Sequence, residues 1–142
     1  MIDYSIRLGI LKDTAFIKDA WQKSMHHIYP HQYETGFSQR YQAHMQTLIE
    51  NSITLVAHLP DDEDEILSFL IYTFFNERLV CHFAYTKVGA RKEGLLTALI
   101  KMAAPNAQSL IFTHPPKNEN IMEHFIIKFI YDPSVLQVLP CL

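Results

Sequence analysis

A short basic stretch with two glycines follows a strand-like segment in the middle of the chain. Arg91 and Lys92 carry positive charge, while Gly89 and Gly94 let the backbone come close to another molecule. The preceding segment, Leu79–Thr86, is rich in β-branched and aromatic residues, which predicts a buried strand. Apolar residues at helical spacing follow and predict a helix. Because the first N–H groups of a helix lack intrahelical partners, the pattern predicts a phosphate-binding turn.

The same turn resembles a family signature. The run RKEGLL is similar to the R/Q-x-x-G-x-G/A motif of the GCN5-related N-acetyltransferases, in which strand, loop and helix cradle the pyrophosphate of acetyl-CoA. Arg91 and Gly94 match its first and fourth positions, whereas Leu96 stands where Gly or Ala is usual. The alternative is an ordinary exposed turn between a strand and a helix. The resemblance implies that acetyl-CoA contacts Arg91, Lys92, Glu93, Gly94, Leu95 and Leu96.

A second stretch near the C-terminus resembles the family pattern N-x-x-A-x-x-x-Y-x-K-x-G-F. Asn118 takes its first position, and Phe125 replaces the tyrosine that protonates the departing CoA thiol in many family members. The resemblance implies that both residues line the cofactor. A phenyl ring has no ionisable hydrogen, however, so it cannot supply that proton. Tyr131 is a candidate replacement for the missing hydroxyl.

The predicted strand before the basic turn carries the remaining candidate catalytic groups. The resemblance assigns the backbone of Phe83, Ala84, Tyr85 and Thr86 to pantetheine and the thioester carbonyl. His82 is the candidate general base, because an unperturbed imidazole titrates near working pH. Strand alternation predicts that His82 and Thr86 share one face and that Tyr85, a further candidate, lies on the other. The alternative for His82 is a packed histidine with one hydrogen-bonded nitrogen.

The surrounding pattern predicts the elements that position these groups. Strands are expected at 4–8, 53–59, 66–75 and 109–113, helices at 14–29, 38–51 and 121–126, and a final strand from Ile130 that is broken at Asp132-Pro133. The acidic run Asp61–Glu65 is expected to form a solvated hairpin turn, since it lacks the spaced ligands of a calcium loop. The fold class is therefore α/β (α+β), with a mixed, mostly antiparallel sheet flanked by helices in one domain over residues 1–142. The resemblance implies the acyl-CoA N-acyltransferase fold.

Composition limits the partners. A net charge of −3 and a pI near 6.2 argue against nucleic acid, which requires a broad basic surface. No apolar run approaches a membrane span and no signal sequence precedes the first strand, so we expect a cytoplasmic protein without membrane contact. Cys81 and Cys141 are expected to be free thiols. His27 and His31 have a zinc-ligand spacing, but no third ligand stands at a recognisable distance, and no metal is expected.

These observations favour one function and leave a second open. The resemblance implies an acetyl-CoA-dependent N-acetyltransferase that moves an acyl group to the primary amine of a small molecule or peptide. The alternative is an inactive CoA-binding or protein-interaction module with the same fold. Family members close with two strands where this chain has residues for little more than one. This difference favours a partner chain, as in a homodimer, at that edge.

Overall fold

The computed structural model describes residues 2–28, 37–107, 109–113 and 128–131, with backbone alone at 25–28, 37–41, 128, 129 and 131. Two 3-10 turns, Leu11–Asp13 and Val88–Ala90, accompany the regular elements. In chain order these elements are β1 (Ser5–Leu8), α1 (Thr14–Ile28), α2 (Phe37–Glu50), β2 (Ile53–Leu59), β3 (Asp62–Phe75), β4 (Arg78–Thr86), α3 (Leu95–Ala103), β5 (Ser109–Phe112) and β6 (Lys128–Tyr131). The predicted final helix and the segment after Tyr131 lie outside the described residues.

The described strands form one sheet in sequence order, from β1 at one edge to β6 at the other. The first four pair antiparallel, because short connections join β2 to β3 and β3 to β4. The α3 crossover makes β5 parallel to β4, and β6 is parallel to β5. The predicted mixed, mostly antiparallel sheet is therefore confirmed.

Helices pack on both faces of this sheet. On one face, α1 and α2 bury Ile17, Trp21 and Met45 against Phe69 and Ile71 of β3. On the other, α3 buries Leu99 and Ile100 against a second cluster of strand residues. Apolar residues at 3.6-residue spacing produce these helix faces, so periodicity alone predicted them correctly. The central strands β3 and β4 consequently have side chains buried on both sides.

The acidic run differs from its prediction. Only Asp61 lies in the turn, because β3 begins at Asp62 and contains the other four acidic residues. Lys12 forms ion pairs with Glu63 at 3.0 Å and Asp64 at 2.7 Å, and Lys87 pairs with Glu65. Cations from the first 3-10 turn and from the residue after β4 thus reduce the mutual repulsion of these carboxylates.

A β-bulge in β4 overturns the predicted alternation around His82. Ile71 of β3 lies opposite Phe83, while Tyr72 lies opposite Cys81, so His82 has no residue across from it. The extra residue puts two successive side chains on one face. His82 and Phe83 therefore both face α1 and α2, as does Tyr85, whereas Thr86 faces α3. The prediction that His82 and Thr86 share a face was wrong.

Candidate functional site

The turn between β4 and α3 is held at both of its ends. Ala90 and Leu95 are buried in a small cluster with Leu67, and they fix the chain on either side of four more exposed residues. Gly94 lies between them at φ 77°, in the left-handed region that favours glycine, and it is the N-cap residue of α3. No side chain caps this helix. Its first N–H groups therefore face the turn at the positive end of the helix dipole.

The two basic residues of this turn are exposed. The Arg91 Nε donates to the carbonyl of Thr86 at 3.1 Å, which ties the side chain to the end of β4. Within the described chain, no residue accepts a hydrogen bond from the two terminal guanidinium nitrogens, so they are available to an anion. Lys92 adopts a φ of 68°, a conformation that costs a residue with a Cβ free energy. Gly94, two residues later, is also left-handed, and left-handed residues recur in the backbone nests that bind anions.

The other two residues assigned to this motif point elsewhere. A Glu93 carboxylate oxygen lies 3.4 Å from the backbone N–H of Ile2 and accepts its hydrogen bond. Leu96, in the first turn of α3, packs against the cluster that contains Leu70 and Leu99. Their side chains thus hold the turn in place, and the anion-binding capacity comes from the backbone and the basic pair.

The edge of β4 next to β5 is paired over only part of its described length. Three residue pairs run from Leu79–Leu110 to Cys81–Phe112, and the Thr113 N–H donates to the Cys81 carbonyl at 3.1 Å. Beyond that point no described residue pairs with this edge of β4. The unpaired half contains Phe83, Ala84, Tyr85 and Thr86, the four residues assigned to pantetheine and the thioester.

Two carbonyls in that half already have donors. The Ser68 hydroxyl donates to the Tyr85 carbonyl at 2.7 Å, and Arg91 occupies that of Thr86. Ala84 packs towards α3 while Phe83 and Tyr85 pack towards α1 and α2. The strand therefore separates a turn-side surface, where α3 begins, from an aromatic surface on its opposite face.

His82 is a buried, fully engaged histidine with 1% of its surface exposed. One ring nitrogen lies 3.1 Å from the hydroxyl of Thr73 in β3, and the other lies 3.0 Å from that of Thr113, just after β5. Burial, with a smaller effect of His44, lowers the pKa of His82 to about 4. To accept a substrate proton, the imidazole must break one of these bonds. This geometry favours the packed-histidine interpretation.

Five aromatic rings, Phe16, Trp21, Phe69, Phe83 and Tyr85, form a cluster between α1 and the second half of β4, a feature that sequence reasoning missed. Trp21 and Phe83 stack with centroids 5.1 Å apart and an interplanar angle of 6°. Phe16 meets Tyr85 edge-on at 6.1 Å. The only sequence signal was that aromatic residues occur on one helix, α1, and on two strands, β3 and β4.

Several predicted site residues lie outside what the structure describes. Asn118 and Phe125 fall in the interval 114–127, and His31, one of the two histidines at zinc-ligand spacing, falls in 29–36. Tyr131 is described only as backbone, in register with Phe112 at the β6 edge. The structure thus brings together the turn and the second half of β4.

The described part of the chain contains neither a candidate metal site nor a candidate membrane-spanning helix. Within it, no group of three or more His, Cys, Asp or Glu side chains is placed to hold a metal ion. No helix there combines the length and the apolar character needed to cross a bilayer.

Cys81 is a buried free thiol. Burial raises its pKa to about 12, although a hydrogen bond from the backbone N–H of Phe83 acts in the opposite direction. It is therefore protonated and unreactive in the folded protein.

Comparison with known proteins links the geometry to a fold. No protein-family model matches the chain, and no curated protein sequence matches it. Among solved structures, a ribosomal-protein-alanine N-acetyltransferase from Brucella melitensis superposes with a TM-score of 0.59 at 18% identity, covering 87% of this chain and 88% of that one. A predicted acetyltransferase from Clostridium acetobutylicum, solved with acetyl-CoA, has a TM-score of 0.57 at 10% identity, with coverage of 85% and 87%. The acetyltransferase AAC(6')-Iy, solved with a CoA bisubstrate analogue, has a TM-score of 0.54 at 9% identity, with coverage of 85% and 86%. The chain has the fold of the GCN5-related N-acetyltransferases.

Proposed function

We propose that the chain binds acetyl-CoA, or another acyl-CoA, between β4 and α3 and transfers the acyl group to a primary amine. The observation that carries this proposal is the uncapped start of α3 at Gly94, in the same turn as Arg91, whose terminal guanidinium nitrogens have no described partner. Such a turn supplies several N–H donors and a charge to a pyrophosphate. The acetyl-CoA complex of the similar C. acetobutylicum protein supports the choice of ligand.

In the proposed reaction the amine nitrogen attacks the thioester carbonyl carbon directly. A C–N bond forms, the C–S bond breaks, and CoA leaves as a thiolate that takes up a proton, while the attacking nitrogen loses one. The unpaired half of β4 would align the thioester and donate backbone N–H groups to its carbonyl oxygen. Tyr85 and Tyr131 are the proposed proton carriers. His82 has no part in this scheme, because both of its nitrogens are engaged.

A second candidate is a CoA-binding module that does not turn over. The engaged His82 favours it, since that residue was the candidate base on β4. Both candidates require the same ligand at the same turn, so binding and turnover must be measured separately.

Calorimetric titration with acetyl-CoA tests binding. We expect saturable heat from the wild-type chain and at least tenfold weaker binding after Arg91→Ala. The matched control is Arg78→Ala, which removes an equally exposed arginine from the other end of β4 and should leave the affinity unchanged. Equal losses in the two variants, or no heat with the wild type, would contradict the assigned anion site. Thiol release with a panel of amines then separates an enzyme from a binding module.

A further inference from the structure

The aromatic cluster has a buried floor and an exposed wall. Trp21 and Phe69 are 0% exposed and form the floor, whereas Phe16 is 38% exposed and Phe83 and Tyr85 are partly exposed. We call these last three residues the aromatic wall. Phe69 supports the wall from beneath, with ring centroids 5.5 Å from Tyr85, 5.7 Å from Phe83 and 6.3 Å from Phe16. The wall therefore rests on packed rings and presents their outer surfaces to solvent.

The aromatic wall lies beside the proposed reaction centre. Phe83 and Tyr85 belong to the half of β4 whose other edge no described residue pairs. Their side chains face α1 and α2, while the anion-binding turn leads into α3 on the opposite face. A molecule that reaches this half of the strand from the α1 side would therefore touch the wall before it met a thioester held along the backbone.

The charges nearest to the wall offer no particular attraction to a polycationic molecule. Asp19 raises the pKa of Lys23 and Glu65 raises that of Lys87, and the nearby Tyr85 phenol adds to both shifts. Both carboxylates are thus already paired with lysines. Each of these two ion pairs beside Tyr85 is neutral overall, so neither supplies a net negative charge that would attract a polyamine. The ring faces, by contrast, favour an aromatic or apolar body, or a single cation.

We propose that the aromatic wall is the acceptor subsite, and that it selects small primary monoamines that carry an aromatic or apolar group. The part of this proposal that concerns acetylation rests on the proposed function, whereas the binding of the amine to the wall does not. The aryl group would pack on Phe16, Phe83 and Tyr85, and that contact would direct the amine towards the unpaired half of β4. Phe16 is then a specificity-determining residue, because it contributes the most exposed ring and comes from a different element.

The first measurement compares three amines at fixed acetyl-CoA: 2-phenylethylamine, spermidine and an aminoglycoside, kanamycin. We expect kcat/KM for 2-phenylethylamine to exceed the other two values by at least tenfold. Phe16→Ala should raise the KM for 2-phenylethylamine about tenfold without changing the KM for acetyl-CoA, and Phe16→Leu should give an intermediate value. Phe74→Ala is the matched control, because Phe74 is a half-exposed strand phenylalanine with an edge-on ring neighbour at 5.8 Å. A preference for spermidine or kanamycin, or equal effects of the two alanine variants, would overturn the proposal.

A second measurement separates this proposal from the proposed function. The chain has a single tryptophan, and Trp21 stacks on Phe83 of the wall, so its emission reports contact with the wall without any acetyl-CoA. Titration with 2-phenylethylamine should change the emission saturably, and Phe16→Ala should weaken that binding. If no amine is acetylated, a saturable response still supports the subsite. A flat response from the wild-type chain refutes it, whether or not acetyl-CoA binds.

Discussion

Trp21 of α1 stacks on Phe83 of β4 with ring centroids 5.1 Å apart and an interplanar angle of only 6°. The contact joins the first helix to the half of β4 that has no described neighbour on its other edge. Stacked pairs contribute about 0.5–1.5 kcal/mol beyond the area that they bury. The pair therefore fixes the position of the aromatic wall relative to the strand.

Phe83→Leu should lower the free energy of unfolding by about 1–2 kcal/mol, because it removes the stacked ring and leaves a smaller side chain against Trp21. Urea unfolding followed by Trp21 emission measures the change. Phe74→Leu, the same substitution at a half-exposed site, should cost less than about 0.5 kcal/mol. Equal costs would show that the stacked pair carries no particular stability.

Gly94→Ala should destabilise the fold by about 1 kcal/mol, because a residue with a Cβ resists the left-handed conformation at φ 77°. A Cβ at this position would meet no protein atom within 4 Å, so strain alone accounts for the cost. A Cβ at Gly89 also meets nothing, and there the backbone is not left-handed. Gly89→Ala should therefore be neutral. Acetyl-CoA affinity should fall several-fold in Gly94→Ala only, and an unchanged affinity would contradict the proposed role of this turn.

The topology followed from local signals. Asn76 and Glu77 adopt φ values of 50° and 64° in a tight connection that returns β3 to β4 as a hairpin. The helical periodicity of α3, ended by Pro105, predicted the crossover and hence the parallel β5. The hairpin and the crossover could be predicted from the sequence because each signal acts within a few residues of the element that it defines.

Three features depended on distant partners and were missed. Glu63 and Asp64 of β3 pair with Lys12, some fifty positions earlier, and local sequence patterns do not show such a partner. His82 faces α1 and α2 because a bulge opposite Ile71 interrupts the two-residue alternation of side chains. The sequence of β4 contains no local signal for this bulge. The aromatic cluster is a third case. In the sequence, Phe16 and Tyr85 resemble ordinary apolar positions. In the folded protein their ring centroids lie 6.1 Å apart.

His82 should make stability depend on pH between about 6.5 and 4. Its folded pKa of about 4 lies below the ordinary value of 6.5, so in this window the unfolded chain binds a proton that the folded chain does not. Stability is therefore lost as pH falls from 6.5 to 4, by about 3 kcal/mol in all, and the loss levels off below pH 4. Chemical denaturation at several pH values measures it. In His82→Gln the free energy of unfolding should depend less on pH in this window. Parallel plots of unfolding free energy against pH for the variant and the wild type would contradict the assignment of this dependence to His82.

Asp13 is expected to affect the pH dependence of stability in a lower pH range than His82, and through an ion pair. Its carboxylate accepts from two Arg7 nitrogens at 2.7 and 2.9 Å and from the Ile10 N–H at 2.8 Å. Burial opposes ionisation, but the bonds from Arg7 and Ile10 outweigh it and lower the pKa of Asp13. Because the folded pKa lies below the unfolded value of 3.8, this stabilisation is present above that pH. It is lost as pH falls through the folded pKa.

Asp13→Asn should cost about 2–3 kcal/mol at neutral pH, because it leaves the mostly buried Arg7 guanidinium without its counter-charge. The control is Asp19→Asn, which breaks the exposed i,i+4 pair with Lys23 and should change unfolding little. Denaturation at pH 7 compares the two variants. Repeating it at pH 2.5 should narrow the difference in unfolding free energy between Asp13→Asn and the wild type, because this pH lies below the unfolded pKa of 3.8, where protonation of the unfolded chain already reduces the contribution of the ionised carboxylate. If the difference in unfolding free energy between the wild type and Asp13→Asn is the same at both pH values, the shape of the Asp13 side chain, and not its charge, accounts for its contribution.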